Sequence, residues 1–244
     1  MNPAVYAARR ELMRTLNVPV TRGGMEFLRW RQRLRLGLWE LNLSALYGLK
    51  RALDVFLSLS AMLALSPVYI AVGFAIWIED GWPVFYAADR VGLNGRVFRF
   101  FKFRSMRRNA DKLKSLLIQQ NESKDGVIFK MKNDPRITRA GRFIRRYSID
   151  ELPQFYNVLI GDMALVGPRP PVPREVVQYT LDDRKRLHVK PGITCLWQIQ
   201  GRSEIPFKEQ VRLDLQYIHS QGVWRDLVIL IKTVPAVLLG KGAY

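Results

Sequence analysis

The hydrophobic pattern of the chain changes abruptly at one segment. From Val55 to Ile78 it runs for 24 residues without a charge, longer than the roughly 20 residues that a helix needs to cross a bilayer. A soluble helix that is apolar on every face for this length is unusual in a domain of this size, so the pattern predicts a membrane segment. We do not expect a cleavable signal peptide, because about fifty mixed residues precede the segment and no small-residue cleavage site follows it.

Ser66 and Pro67 interrupt this segment at its centre. Proline removes a backbone donor and disfavours helical geometry at the residue before it, so the segment is either a kinked helix that crosses or a re-entrant helix-break-helix that returns to the same side. Residues 1–51 hold ten Lys and Arg against three Glu, and residues 79–115 hold nine against four acids. Since basic flanks stay cytoplasmic, two basic flanks favour the re-entrant form. We expect the Ser66 hydroxyl to bond a carbonyl freed at the break.

The other patterns predict one mixed, helix-rich domain. The stretch 27–43 alternates Arg with apolar residues at both strand and helix spacing, so it is either a basic amphipathic helix on anionic lipid or a solvated arm. Residues 82–106 alternate aromatic and basic residues around Gly92 and Gly95, which predicts a hairpin. Helices are predicted over 110–123, 142–159, 175–187, 208–220 and 224–240, a proline-stiffened loop over 167–175, and a strand or loop over 190–202.

Composition narrows the class of partner. The 39 Lys and Arg residues outnumber the 21 Asp and Glu residues, for a formal charge of +18; this predicts nucleic acid, an anionic membrane or a phosphorylated substrate. The single cysteine excludes an internal disulfide framework, and with two histidines it cannot form an ordinary zinc site. Cys195 and His188 are formally a nucleophile pair, but a buried thiol and a solvated imidazole are expected.

An adjacent acid pair, Asp150 and Glu151, is the strongest candidate for chemistry. One interpretation is structural: Ser148 caps a helix whose third residue is Glu151. The other is catalytic, because a helix start and guanidinium groups suit phosphate, and a carboxylate among cations stays ionised as a nucleophile or metal ligand. Neighbouring acids on one helix cannot flank a glycosidic bond from two faces. The nearby arginines are Arg139, Arg142, Arg145, Arg146 and Arg169.

From about Lys50 onward the chain resembles the bacterial sugar transferases, the monotopic phosphoglycosyl transferases typified by undecaprenyl-phosphate galactose phosphotransferase. The resemblance is carried by several motifs in one order: KRALDVFLSL, the Ser-Pro within the apolar run, RVGLNGRVFRFFKFRSM, DPRITRAGRFIRRYSIDELPQFYNVLIGDMALVGPRP, KPGITCLWQIQGR and LDLQYI. It implies an α+β, helix-rich monotopic membrane protein. The expected organisation is a basic extension (1–45), a re-entrant helix (46–80) broken at Ser66-Pro67, and a cytosolic catalytic domain (81–244).

The resemblance also implies a reaction. Asp150 attacks the β-phosphorus of a UDP-sugar and releases UMP, and a polyprenyl phosphate then takes the phosphosugar, at the cytoplasmic face of a bacterial plasma membrane. Glu151 would hold Mg²⁺. Anionic lipids and possible homodimerisation are further expectations, and nucleic acid is not an expected partner. Residues matching the family's phosphate- and nucleotide-contacting motifs are Lys102, Arg104, Arg145, Pro168, Arg169, Pro170 and Asp214.

A second hypothesis from another class is a non-enzymatic, membrane-bound adaptor whose basic surface binds polyanions in a salt-dependent way. It does not need the acid pair, and the sequence contains no recognisable nucleic-acid-binding signature. The sequence does not separate galactose from other sugars by any physical argument.

Overall fold

The structure is a computed structural model that describes residues 22–110, 112–113, 131 and 134–239. The chain divides into two compact units, Met1–Tyr47 and Gly48–Tyr244. The predicted helix over 110–123 lies almost entirely outside the described residues. The arginine-rich stretch 27–43 is helical, as part of helix α1 (Arg22–Ala64).

The apolar segment forms a broken pair of helices. Helix α2 (Ser66–Asp80) follows α1 after Leu65, and the pair bends by 60° at this point. Pro67 has no N–H to offer the carbonyl of Leu63, four residues earlier. The Ser66 hydroxyl donates to that carbonyl instead, at 2.8 Å, which confirms the role expected for Ser66.

The pair carries an unusual amount of exposed apolar surface. Within the part of the chain that the structure describes, no single helix is long and apolar enough to cross a bilayer, whereas Ala45–Ala64 and Ser66–Asp80 meet the length and composition requirement together. Phe56, Leu63, Ile70 and Ile78 are each at least 65% exposed. Such a surface is typical of a contact with protein or membrane.

Both ends of this segment are fastened within the unit Gly48–Tyr244. At the start, the Arg51 guanidinium donates to the carbonyls of Val158 (2.6 Å) and Leu159 (2.8 Å). At the end, Arg104 donates to the carbonyls of Asp80 and Gly81 at 3.0 and 2.6 Å. Both ends of the bent pair are therefore held by the same unit.

The predicted hairpin is confirmed. Strand β1 (Phe85–Val91) pairs antiparallel with β2 (Val97–Phe103), and the turn is built with positive φ at Asn94 and Gly95, which these two residue types tolerate well. Side chains alternate across a strand, so Phe98, Phe100 and Lys102 share one face of β2. The two phenyl rings are buried in the main core, and that burial fixes the direction of Lys102.

The single helix predicted over 142–159 is wrong. The chain forms α3 (Arg139–Arg146), a 3₁₀ turn (Ile149–Glu151) and α4 (Gln154–Ile160). Ser148 adopts a left-handed conformation, with φ of 53°, and this breaks the helical path. Pro153 then starts α4, where its missing N–H costs nothing. The acid pair consequently lies in a tight turn between two helices.

The rest of the domain packs short elements around a second, two-stranded sheet. Strand β3 (Ala164–Val166) pairs parallel with β4 (Gly192–Thr194). The predicted helix over 175–187 is wrong as one element, because it is divided into shorter turns; those over 208–220 and 224–240 are confirmed. The remaining helices are α5 (Pro173–Val177), α6 (Leu181–Arg184), a 3₁₀ turn (Lys185–His188), α7 (Leu196–Gln200), α8 (Phe207–His219) and α9 (Val223–Leu239).

The core lies between the two sheets and helices α4, α8 and α9. Its most enclosed side chains include Met163, Val158, Tyr217 and Ile229, each under 2% exposed. The Tyr217 hydroxyl donates to the Val166 carbonyl at 3.0 Å, which ties α8 to β3. The acid pair stands at one edge of this core, beside Lys102 of the hairpin.

Candidate active site

Lys102 contacts both members of the acid pair from the hairpin. Its ammonium nitrogen lies 2.8 Å from Glu151 Oε1 and 3.4 Å from Asp150 Oδ2. It also stands 5.5 Å from the centre of the Phe100 ring, within the range of a cation–π contact. One lysine therefore neutralises part of the charge of two carboxylates.

The acid pair is held by its backbone turn and not by a helix cap. The N–H groups of Glu151 and Leu152 donate to the carbonyls of Ser148 and Ile149 at 3.1 Å, and the Ser148 side chain caps nothing. The capping-box interpretation is therefore wrong. The turn itself takes up the N–H groups of Glu151 and Leu152, so these two donors are not available to an anion.

The two carboxylates differ in electrostatics although they are adjacent. Burial raises the pKa of Asp150, since Lys102 and Arg145 offset only part of its desolvation and Glu151 adds a like charge. Burial acts in the same direction on Glu151, but there Lys102 and Arg169 outweigh it and hold the pKa well below the ordinary value. The pair thus combines a firmly ionised Glu151 with a more basic Asp150, a separation typical of groups with distinct catalytic roles.

Arg169 is presented by the proline-rich loop after β3. Its Nη1 lies 3.1 Å from Glu151 Oε1. The loop is fixed on both sides, because Gly192 N–H donates to the Pro168 carbonyl at 2.9 Å and Arg90 donates to the Pro170 carbonyl at 3.1 Å. A guanidinium on such a stiff support keeps its direction, which favours binding of a planar or phosphate anion.

These groups line one cavity of about 1080 Å³. Of the residues singled out from the sequence, the structure brings Lys102, Arg104, Arg145, Asp150, Glu151, Arg169 and Pro170 to its wall. The volume is at the upper end for a small-molecule site, and the lining mixes cations with apolar side chains. Leu65 and Val68, at the break of the bent helix pair, also line it.

Arg104 and Asp214 hold the surroundings of the site together. Arg104 forms an ion pair with Asp80 at 3.1 Å, beside its bonds to the end of α2. Asp214 is 1% exposed and ion-paired with Arg186; burial raises its pKa to about 6, against the opposing effect of Arg186. Neither residue contacts the acid pair directly.

Cys195 and His188 do not form a pair. The thiol is 1% exposed and faces Gln198 Oε1 at 3.4 Å, and burial raises its pKa far above the ordinary value. His188 is exposed. The expected buried thiol and solvated imidazole are confirmed.

Several wall residues were not identified from the sequence. Arg90, Tyr179, Arg186, Trp197 and Arg202 all line the cavity. Arg90 belongs to the family motif that begins RVGLNGR, and Arg202 belongs to the family motif KPGITCLWQIQGR. Their position in these motifs was the sequence signal that could have identified them. Tyr179 and Arg186 sit in a stretch with no distinctive pattern, and only the fold brings them to the site.

The carboxylates of the acid pair are the side chains of the site that could contribute to a magnesium site. No cluster of three or more His, Cys, Asp or Glu side chains suited to a metal occurs among the described residues. Mg²⁺ commonly uses one or two carboxylates and completes its shell with water and substrate phosphates. Glu151, firmly ionised beside Asp150, offers that kind of partial ligand set.

Comparison with known proteins assigns the chain to a family. The profile of the bacterial sugar transferases matches residues 45–240. The chain belongs to this family. Residues 1–44 lie outside the match.

Curated members of the family span a range of lengths. The chain is 54% identical over 166 residues to "Galactosyl transferase CpsE" of Streptococcus agalactiae, covering 68% of the chain and 37% of that relative. It is 45% identical over 202 residues to "Undecaprenyl-phosphate galactose phosphotransferase" of Salmonella typhimurium, covering 80% and 42%. Against "Exopolysaccharide production protein ExoY" of Sinorhizobium fredii the identity is 38% over 198 residues, covering 80% and 88%. The chain thus spans about two fifths of the length of the first two relatives.

Proposed function

We propose that this bacterial sugar transferase moves a sugar 1-phosphate from a UDP-sugar to a polyprenyl phosphate. The observation that carries the proposal is the buried acid pair, whose two carboxylates have opposite pKa shifts in one cavity with Lys102, Arg145 and Arg169. Phosphoryl transfer requires mainly positioning and charge stabilisation, and this site supplies both.

In the first step Asp150 acts as the nucleophile. Its carboxylate oxygen forms a bond to the β-phosphorus, and the bond from that phosphorus to the bridging oxygen breaks, its electron pair leaving with UMP. Glu151 stays ionised beside it because Lys102 and Arg169 stabilise its charge. Mg²⁺ held at Glu151 would supply further neutralisation of the diphosphate.

In the second step the phosphate of the polyprenyl acceptor attacks the same phosphorus. A new phosphorus–oxygen bond forms, the bond to Asp150 breaks, and the carboxylate is regenerated. Lys102 lies 3.4 Å from Asp150 Oδ2, and the charges of Lys102 and Arg145 both lower the pKa of Asp150 against the effect of burial. They orient the carboxylate and stabilise its returning charge.

We further propose that this chemistry takes place at the bilayer surface. We infer a re-entrant segment on the cytoplasmic side, supported by the 60° bend at Ser66-Pro67 and by the bonds that fasten both of its ends to one unit. Leu65 and Val68 share the cavity with the acid pair, which suits an acceptor that is part phosphate and part hydrocarbon.

The nucleophile is tested by replacing Asp150 with Asn and measuring UMP release from a UDP-sugar with Mg²⁺ and polyprenyl phosphate. We expect loss of UMP release, because an amide cannot attack phosphorus as the carboxylate does. Asp182→Asn is the control, since Asp182 is 79% exposed and lies on the surface. Normal turnover by Asp150→Asn would remove Asp150 from this role. UDP-galactose is the first donor to screen, because two of the relatives are named for galactose.

The topology is tested by labelling single cysteines, in a Cys195→Ser background, at the exposed positions Ala45 and Asp89. In inverted vesicles a membrane-impermeant maleimide should label both Ala45→Cys and Asp89→Cys. Labelling from opposite faces would show a crossing helix.

A further inference from the structure

Arg202 is a wall residue with an unusual backbone. It begins the 3₁₀ turn Arg202–Glu204 directly after Gly201, with φ of 51°. Among the described residues only Asn94, Ser148 and Arg202 are non-glycine residues with positive φ. Asn94 forms the hairpin turn, while Ser148 and Arg202 both line the cavity. Left-handed residues other than glycine persist where the fold requires one direction of a side chain.

Arg202 lines the cavity, and its guanidinium has no partner among the described residues. No hydrogen bond or ion pair joins it to another side chain or carbonyl in the described part of the chain, and its Nη1 is buried and unbonded. Burial lowers its pKa, and the charge of Glu151 opposes this effect. A buried guanidinium donor without a partner carries a desolvation cost that an anionic ligand would remove.

Neighbouring arginines on the wall are already engaged. Arg169 bonds Glu151, Arg186 pairs with Asp214, and Arg90 donates to the Pro170 carbonyl. Lys102 and Arg169 thus already contact Glu151 Oε1. On the Glu151 side of the site, Arg202 is an uncompensated positive charge.

We propose that Arg202 binds the phosphate monoester that leaves in the first transfer and the one that enters in the second. This deepens the proposed function and rests on it. The first ligand is the phosphate of UMP, and the second is the terminal phosphate of the polyprenyl acceptor.

In-line displacement at phosphorus requires the two phosphates to occupy the same position in the site. An entering and a leaving oxygen lie roughly in line on opposite sides of the phosphorus. UMP leaves opposite Asp150, and when Asp150 later becomes the leaving group, the acceptor phosphate must enter opposite it. Both are monoesters bearing the same charged oxygens, so one guanidinium serves both.

A direct binding measurement distinguishes an effect of Arg202 on phosphate binding from an effect on catalysis. Calorimetry with the full-length chain in detergent measures the affinity for UMP and for uridine in the wild type and in Arg202→Gln. We expect affinity for UMP to fall by about tenfold or more, the usual value of a hydrogen bond to a charged group, while affinity for uridine changes little. Arg184→Gln is the matched control: it removes one charge from an exposed arginine and should leave both affinities unchanged.

Steady-state kinetics test whether Arg202 binds both UMP and the acceptor phosphate. UMP and polyprenyl phosphate both react with the covalent form of the enzyme, so competitive inhibition by UMP is expected from the two-step exchange itself; the test of Arg202 is that Arg202→Gln should raise both the inhibition constant for UMP and the KM for the acceptor. Arg202→Lys keeps the charge without the two-pronged geometry and should lie between the two; it decides the matter if the glutamine variant does not fold. UMP affinity within about twofold of the wild type in the folded variant would overturn the assignment.

The two proposals fail differently. If the wild type releases no UMP from any UDP-sugar, the proposed function fails. If the wild type turns over while Arg202→Gln keeps its affinity for UMP, only the assignment of Arg202 fails.

Discussion

At the scale of residues, a single additional contact gives the two neighbouring carboxylates of the acid pair different pKa values. Lys102 bonds both carboxylates, but Arg169 bonds only Glu151. Glu151 is thereby stabilised as an anion, whereas Asp150 keeps a raised pKa. A carboxylate with fewer stabilising contacts is the better nucleophile, because less of its charge is already neutralised. The roles proposed for the two acids rest on this asymmetry.

Lys102→Gln should change the pH dependence of the reaction. Asp150 must be ionised to attack, so activity is lost as pH falls through its pKa, which burial already raises above the ordinary 3.8. Removing Lys102 takes away the largest effect that lowers this pKa, and the acid limb of kcat/KM should move to higher pH. The measurement is UMP release across pH.

Lys185→Gln is the control for that shift, because Lys185 is 57% exposed and pairs with a surface aspartate. Its acid limb should coincide with that of the wild type. An acid limb that stays in place or moves to lower pH in Lys102→Gln would contradict the assignment of Lys102.

The buried ion pair of Asp214 and Arg186 makes a prediction about stability. Both side chains are at most 4% exposed, and Asp214→Ala would leave the Arg186 charge without its partner. Breaking a pair of this kind costs about 3–5 kcal/mol, so thermal unfolding in detergent should occur at a clearly lower temperature. Asp182→Ala, at an exposed ion pair, should change the midpoint little. An equal midpoint for Asp214→Ala and the wild type would contradict this interpretation.

At the scale of elements, patterns with a local physical cause were predictable. The Ser66-Pro67 break, the hairpin around Gly92 and Gly95, and helices α8 and α9 follow from proline chemistry, turn residues and periodicity. The interruption at Ser148 was not predictable, because serine has no preference for positive φ and only the packing of α3 and α4 requires it. Pro153 was a signal in the same stretch, and the apolar periodicity across it concealed the break.

The bend between α1 and α2 should depend on Ser66-Pro67. In Ser66→Ala/Pro67→Leu, the Leu63 carbonyl regains a backbone donor at position 67, and a continuous helix becomes available. We expect a fraction of Asp89→Cys to be labelled from the opposite face of the membrane. Pro235→Leu is the control, since Pro235 lies inside α9 and outside the bent pair. Unchanged labelling in the double variant would show that the bonds of Arg51 and Arg104 set the topology without the break.

At the scale of the whole molecule, the positively charged residues serve different functions in different regions. Lys102, Arg145 and Arg169 were expected beside the acid pair, and they line its cavity. Arg186, which precedes β4, and Arg202, which follows it, line the same cavity, and the pairing of β4 with β3 brings both of these segments to the site. Such long-range pairing leaves no periodic trace in sequence, so this half of the wall could not be predicted.

The two modes of membrane contact, apolar and electrostatic, can be separated by extraction. If the bent pair is embedded, the chain should stay with membranes in about 1 M salt, where charge interactions are screened within about 3 Å, and detergent should release it.

Replacing Phe56, Leu63, Ile70 and Phe74, all more than half exposed, by Ser removes about 1.5–3 kcal/mol of burial each. That variant should become much more extractable by salt, because it has lost a large part of the exposed apolar surface of the bent pair and depends more on its basic residues to bind lipid. Val177→Ser/Leu181→Ser changes side chains that are 80% and 85% exposed outside the pair and should stay with the membrane. Retention of the quadruple variant in high salt would place the principal membrane contact elsewhere in the chain.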